Sequence, residues 1–317
     1  MTLAELASPQ QGYSYAFLDE FAKRELRRRV LKAIAIPGYQ VPYASRELPI
    51  ARGWGTGGLQ VTLAMIGPLD VIKVIDQGAD DSVNAANLRR FIARMSGAQT
   101  TVDTRKATLI QSRHRIPEER MQEKQALILQ VPDPEPLRGV QPDMSKARLM
   151  HGDADYGLMW LGLYEQLVKY RRVTIGASYP MLVHSRYVMS PSPIPRWDVP
   201  KLHQAAHLTL LSAGREKRLY AVPPYTNVLP LEFSDVPFRI ENQKGWVCYK
   251  SGDRNKFMTE IPTAGGQALH EISDTSYVGK VIDIKRSAET DRAQTEVLGE
   301  TYFDQEGGFY HEGYLRE

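Results

Sequence analysis

Residues 33–60 read AIAIPGYQVPYASRELPIARGWGTGGLQ, and the reading of this stretch decides the fold. An apolar run meets Pro37-Gly38, two further prolines follow, and the chain enters Gly53-Trp54-Gly55-Thr56-Gly57-Gly58 ahead of Leu59–Ile66. Glycine carries no Cβ, so such a stretch can bring bare backbone N–H groups against phosphate oxygens. The letters also contain G-x-G-x-x-G, but the dinucleotide fingerprint needs a strand before its glycines and a helix after them. Here Pro49 and Arg52 precede the glycines and LQVTLAMIG (59–67) reads as a strand, so the Rossmann reading is rejected. An ordinary glycine-rich turn accounts for the same letters.

The 317 residues suggest roughly two units of about 150 residues each, and 42% hydrophobic content is enough for a sizeable core. Lys+Arg number 40 and Asp+Glu 37, a net +3 with no long block of one sign. Charge alone therefore points to neither a nucleic-acid track nor a membrane surface. No apolar run reaches the length of a membrane span, and MTLAELASPQQGYSYAF lacks the charged-then-apolar pattern of a leader, so a cytoplasmic protein is expected. The single cysteine, Cys248, excludes an internal disulfide and cannot by itself hold zinc or an iron–sulfur cluster.

Along the chain, Phe17, Phe21, Leu26, Val30 and Ile34 recur at helical period, with acids early and bases late, which predicts a helix whose Arg27, Arg28 and Arg29 face solvent. Strands are expected over 70–76, 107–115 and 127–131, and Asp80-Asp81-Ser82 caps a helix over 83–95. Asp76, Asp80 and Asp81 also read as possible divalent-metal ligands, although capping accounts for them. Arg113-His114-Arg115 closes one strand with two guanidiniums around an imidazole, a set suited to an anion or to a surface charge cluster. Residues 144–169 read as a helical insertion whose Asp153, Asp155 and Tyr164 form a solvated or docking face. The prolines of SPSPIPRWDVP (190–200) argue against regular structure. Residues 201–211 then predict a helix with His203 and His207 on one face, a zinc pair without the Glu of H-E-x-x-H or a visible third ligand. A plain helical surface is the alternative. Arg215 and Lys217 sit in a basic turn that would complete an anion pocket with Arg113, and a strand follows in LYAVPPYT. Acidic residues and four aromatics mark 289–317, expected to lie on a partner or on the chain's own body.

PGYQVP, GWGTGG, VIDQGADD, TLIQSRHRIPE, QVPDPEPLR, RYVMSPSPIP and GREKRLYAVPPYT occur in this order. Together they resemble the J-subunit family of the bacterial carbon–phosphorus lyase complex, over roughly Tyr13 to Tyr277. The resemblance implies a subunit of a large cytoplasmic complex that degrades phosphonates. Such a subunit cleaves the C–P bond of a 5-phosphoribosyl 1-alkylphosphonate by radical chemistry with S-adenosylmethionine and a 4Fe-4S cluster. It also implies G-, H- and I-type partners and an ABC-type ATPase docked on the helical insertion. Gly38 falls on the family's radical glycine. Arg113, His114 and Gln130 fall near the ligand, with His114 at a metal site, expected to hold zinc, shared with the I-type subunit. Asp155 and Tyr164 fall on the ATPase contact. Gly55, Gly57, Gly58, Arg215 and Lys217 join the expected phosphate-binding set.

The family's four cluster cysteines align here with Cys248, Ser251, Ile272 and Val278, around the retained string Ser273–Tyr277. Isoleucine and valine cannot ligate iron, and serine poorly replaces a soft thiolate. The expectation is a J-type subunit without a 4Fe-4S cluster, binding a phosphoribosyl ligand and scaffolding its partners, with phosphite or hypophosphite as substrates that have no C–P bond to break. Packing by residues 279–317 would replace the stabilisation a metal gives. The alternative is an active radical lyase that pairs Cys248 with His270 or with partner ligands. A metal hydrolase built on His203 and His207 is a third reading. The expected architecture is α+β, a mixed-sheet core (1–135 and 186–240) with a helical insertion at 136–185. An irregular cysteine-position lobe (241–278) and an extension (279–317) complete it.

Overall fold

A computed structural model describes residues 18–43, 56–76, 80–113, 115–131, 143–152, 180–189, 195–213, 218–230, 243–263 and 265–306. Its centre is a seven-stranded mixed sheet. The strands are β1 (Val41–Pro42), β2 (Val71–Asp76), β3 (Gln99–Thr100), β4 (Leu109–Arg113), β5 (Ala126–Gln130), β8 (Leu208–Ala213) and β9 (Arg218–Val222). They lie in the order β1-β9-β8-β5-β4-β2-β3. From β3 through β2, β4 and β5 to β8 the strands are parallel, and β9 and β1 add an antiparallel edge. Parallel strands must be covered on both faces, which explains why Val71–Asp76 and Ala126–Gln130 are almost wholly buried.

One face is covered by α1 (Glu20–Ala35), α2 (Thr56–Met65) and α3 (Val83–Ser96), with Leu26, Val30, Leu59, Val61, Ile92, Ile128 and Leu210 in a common apolar core. Asp19 caps α1 by accepting from Ala22 N at 2.7 Å, and Ser82 caps α3 by accepting from Ala85 N at 3.1 Å. Gly97, at φ +70°, ends α3 in the left-handed conformation that favours glycine. Phe21 departs from its expected apolar face and is exposed. Arg27 and Arg28 are exposed as expected, and Arg27 also donates to Ala64 O at 2.6 Å, satisfying a carbonyl at the end of α2.

The other face buries Ile75, Ile110, Leu127, Leu129, Leu211 and Tyr220. Against it pack the sheet β10-β6-β7 (Val228–Pro230, Pro180–Val183, Arg186–Met189) and α5 (Pro195–Leu202). Of the expected helical insertion, α4 (Met144–Gly152) is described, and residues 153–179 lie outside the described residues. The C-terminal part is more regular than expected. It holds a hairpin of β11 (Met258–Pro262) and β12 (Ala268–Ile272), then the 32-residue helix α6 (Thr275–Glu306), so that lobe and extension share one helix.

Two expectations fail. Residues 59–65 form a helix, not a strand: Leu59 to Ala64 are all buried, so the run shows neither the period-2 nor the amphipathic signature. The valine and threonine that mimic a strand are accommodated in the core, where Thr62 Oγ1 donates back to Gly58 O at 2.8 Å. The glycines therefore lead into a helix, yet β1 and β2 stand apart in the sheet, unlike adjacent strands of a dinucleotide-binding unit. Residues 201–211 are likewise not one helix. The described part of the proline-rich stretch, from Pro195, belongs to α5, where the fixed φ of Pro195 suits a first helical position. It stops at Leu202, where Gln204 turns left-handed (φ 53°) and its N–H bonds Thr226 O, and β8 begins at Leu208.

Candidate functional site

The parallel register brings chemistry to one row. Asp76 pairs with Arg113, Arg113 with Gln130, and Gln130 with Ser212. All four close the carboxyl ends of β2, β4, β5 and β8, the edge at which ligands bind in open α/β sheets. Alternation along each strand places these side chains on the α2 face. Arg113 Nη2 donates to Asp76 Oδ2 at 2.8 Å, and its Nε donates to Oδ1 of the same, fully buried carboxylate. The two-point grip fixes the plane of the guanidinium. Gly58 lies over the row: a Cβ there would stand 3.4 Å from Gln130 Cβ and 3.9 Å from Gln111 Nε2. That is ordinary contact, so these neighbours do not demand glycine; its missing methyl leaves room between α2 and the two glutamines. At the β8 end, Ser212 Oγ donates to the Tyr43 hydroxyl at 3.4 Å, and Tyr43 in turn donates to Ala213 O at 3.3 Å.

The row unites Arg113 and Gln130 from the expected set and places Gly58 above them. Gly57 lies in the first turn of α2. Gly55, His114, Arg215, Lys217, Asp155 and Tyr164 lie outside the described residues. Sequence reasoning missed Asp76 as the partner of Arg113 and missed Gln111 altogether. The signal was the parallel pairing of VIKVID with LIQSR, which aligns the last residue of each strand.

The divalent-metal reading of the aspartates does not fit. Asp76 holds Arg113, while Asp80 and Asp81 accept from Thr275 Oγ1 at 2.8 and 3.2 Å. The zinc pair is not brought together on a helix either. His203 Nδ1 accepts from Val228 N at 3.1 Å, and His207 is buried just ahead of β8, its pKa pushed down to about 4 by desolvation. Among the described residues no group of three or more His, Cys, Asp or Glu is arranged to hold a metal.

Gly38 has a steric role. Its φ is +74°, and a Cβ would meet Val183 O at 2.9 Å and Arg186 Cβ at 3.2 Å. The Gly38 N–H donates to Ala221 O at 3.3 Å and Arg186 Nη1 to Pro37 O at 3.0 Å. The turn is thus clamped between β9 and the β6–β7 hairpin.

The four positions that the resemblance sets against cluster cysteines do converge. Cys248, Ile272 and Val278 are buried in one cluster with Met258, and Trp246, Tyr277 and Ile282 pack around it. Ser251 N donates to Cys248 Sγ at 3.5 Å, Gly252 N to Cys248 O at 2.7 Å, and Gly252 takes φ +71°. This tight turn sets backbone donors around the sulfur. Burial pushes the Cys248 thiol up, but hydrogen bonds from Ser251, Ile272 and Lys250 outweigh it and hold the thiol below its ordinary value. His270 shares a face of β12 with Ile272, and its ring stacks on Trp246 with centroids 3.9 Å apart. A 4Fe-4S cluster does not fit this donor set: two of the four corners are hydrocarbon side chains, already in contact with the thiol's neighbours.

This lobe is fixed to the sheet through a buried lysine. Lys73, fully buried in β2, donates to Val102 O at 2.8 Å, to Thr104 Oγ1 at 3.1 Å and to Ser276 Oγ in α6. Desolvation lowers its pKa, opposed by Asp274 and Asp80. Asp274 caps α6 through Tyr277 N at 3.2 Å and accepts from Glu118 N at 2.7 Å. The Ser273–Tyr277 string thus has a structural role.

Fold and rim together define an α+β protein whose buried Asp76–Arg113 pair closes the carboxyl ends of its parallel strands. Residues 11–283 match the family model described as "Phosphonate metabolism protein PhnJ". The chain is similar to the alpha-D-ribose 1-methylphosphonate 5-phosphate C-P-lyase of Rhizobium meliloti (strain 1021), 51% identical over 267 residues, 84% of this chain and 89% of the relative. It is also similar to the C-P lyase of the same description from Escherichia coli (strain K12), 48% identical over 267 residues, 84% and 95% of the two chains. The chain belongs to the PhnJ family, a subunit family of the multisubunit C–P lyase complex of phosphonate utilisation. Among the described residues no helix is long and apolar enough to cross a membrane.

Proposed function

We propose that this chain is a cytoplasmic J-type subunit that binds a phosphoribosyl ligand at the Asp76–Arg113–Gln130 row and scaffolds its partners without radical chemistry. Those partners are G-, H- and I-type subunits and an ABC-type ATPase. The observation that carries the reading is the convergence of Cys248, Ile272 and Val278 in one apolar cluster. Where four thiolates would hold an iron–sulfur cluster and S-adenosylmethionine chemistry, three side chains and Ile282 of α6 pack as a small core. Arg113, locked by Asp76, supplies a fixed planar cation for a phosphate. The adjoining glycine-led helix start gives N–H groups, and the sequence offers His114, Arg215 and Lys217 as further basic groups for the same ligand. A zinc at His114 takes its remaining ligands from the I-type subunit. With the C–P step absent, phosphite or hypophosphite esters of the ribosyl phosphate suit the complex as substrates.

A second reading has its own support. Both named relatives are C–P lyases at about half identity, and the donor-rich turn around Cys248 persists. In that reading Cys248, His270 and partner residues hold a cluster. The assembled complex, supplied anaerobically with S-adenosylmethionine, reductant and 5-phosphoribosyl 1-methylphosphonate, separates the two. The proposal expects ligand binding without methane release; methane at one or more turnovers per chain overturns it.

A further inference from the structure

We infer that Gln111 is a specificity-determining residue of the rim, accepting a hydrogen bond from a hydroxyl group of a phosphorylated sugar. The inference rests on the ligand-site reading above and names the part of the ligand that the arginine cannot read. Gln111 lies in β4 two residues before Arg113, hence on the same face of the sheet. It is only 3% exposed, and its amide nitrogen is 3.9 Å from where a Cβ of Gly58 would stand, beneath the first turn of α2.

Its Oε1 is buried and has no hydrogen-bond partner among the described residues. Buried side-chain oxygens are nearly always paired, and an orphan destabilises the fold that keeps it. The preceding residue of β4 on this face, Leu109, is packed in the apolar core, and a leucine or methionine at 111 would fill the same volume without that penalty. An orphan acceptor two residues in from the ligand edge, on a side chain whose amide nitrogen lies beside Gly58, is instead the arrangement of an acceptor waiting for a donor.

The identity of that donor follows from charge. An amide oxygen repels phosphate oxygens, so Oε1 does not serve the anion that Arg113 and the start of α2 attract. A sugar hydroxyl donates, and sits within a few bonds of the phosphate it accompanies. The rim thus divides its work, with cation and backbone N–H groups for the phosphate and the Gln111 carbonyl-type oxygen for the polyol. A site that hydrogen-bonds a substrate hydroxyl discriminates strongly against analogues lacking it, because its own buried group is then left unpaired.

Calorimetric titration of the assembled complex tests this with three probes: ribose 5-phosphate, n-pentyl phosphate and inorganic phosphate. The parent complex should bind ribose 5-phosphate about tenfold or more tightly than pentyl phosphate, the effect of one buried hydrogen bond plus the desolvation of its unpaired acceptor. Gln111→Leu should abolish that preference, leave the affinity for inorganic phosphate unchanged, and melt at or above the parent's temperature because it removes an orphan acceptor. Equal affinity for the two esters in the parent complex overturns the inference without any variant. A preference that persists in Gln111→Leu also overturns it while leaving the anion site standing. Failure of all three probes to bind the parent overturns the ligand-site reading itself.

Discussion

Arg113 lays two guanidinium nitrogens on the carboxylate of Asp76, its register partner in the neighbouring parallel strand. Neither residue could be moved along its strand without losing this match, so the pairing of β2 with β4 sets the orientation of the cation offered to a ligand. Asp76→Asn keeps the shape and removes the charge. It should weaken phosphate binding about tenfold or more, and destabilise the fold by up to about 3–5 kcal/mol as the arginine loses its charged partner. Asp76→Glu should recover part of the affinity. Titration calorimetry alongside urea unfolding checks both, and unchanged phosphate affinity in Asp76→Asn would show that Arg113 does not meet the anion.

Gly38 carries its own prediction. With φ at +74° and Val183 O 2.9 Å from any added Cβ, Gly38→Ala should lower stability by about 1–3 kcal/mol. The loss is expected in the isolated chain, with no ligand or cofactor present. A Gly38→Ala protein as stable as the parent would mean that the glycine is kept for chemistry and not for the clamp on the β6–β7 hairpin.

His207 gives the fold a defined response to acid. Burial pushes its pKa down to about 4 from an ordinary 6.5, so the unfolded chain takes up this proton before the folded chain does. Its contribution to stability is therefore complete above about pH 6.5 and declines as pH falls toward 4, by at most about 3 kcal/mol. Urea midpoints across that range measure the slope, and His207→Leu should flatten it.

Much of this architecture was legible in the residues. Ser82 and Gly97 bound α3 because a side-chain acceptor and a left-handed turn are local requirements, and VIKVID, LIQSR and ALILQ are strands because continuous apolar runs suit a sheet covered twice. Leu59–Met65 was misread because a helix buried on all sides has no period to detect. The stretch from Ser190 to Leu211 was misread for a different reason: prolines excluded regular structure in the abstract, while Pro195 in fact opens a helix and Gln204 ends it against Thr226, a residue twenty-two positions later. Asp76 was weighed as a metal ligand, since its arginine is thirty-seven residues away and meets it only through parallel pairing. The convergence of Cys248, Ile272 and Val278 depends on a hairpin and a helix start folding onto one turn, and it became visible only once the family's cysteine positions were laid on the chain.

The apolar cluster should behave as core. Ile272→Ala should cost about 2–5 kcal/mol, the range for truncating a fully buried aliphatic side chain. Val278→Ala should be non-additive with it, since the two pack in one cluster. Urea unfolding of the two single variants and the double variant measures the coupling; a cost below about 0.5 kcal/mol for Ile272→Ala would show that this space is not packed in the working protein.

The most direct measurement is the iron and labile sulfide content of the assembled complex, purified anaerobically after iron–sulfur reconstitution, per copy of this chain and with Cys248→Ala alongside. Values near zero in both proteins are the predicted result. Close to four irons and four sulfides per chain, lost in Cys248→Ala, would contradict the account and return the chain to radical chemistry with ligands beyond the four aligned positions.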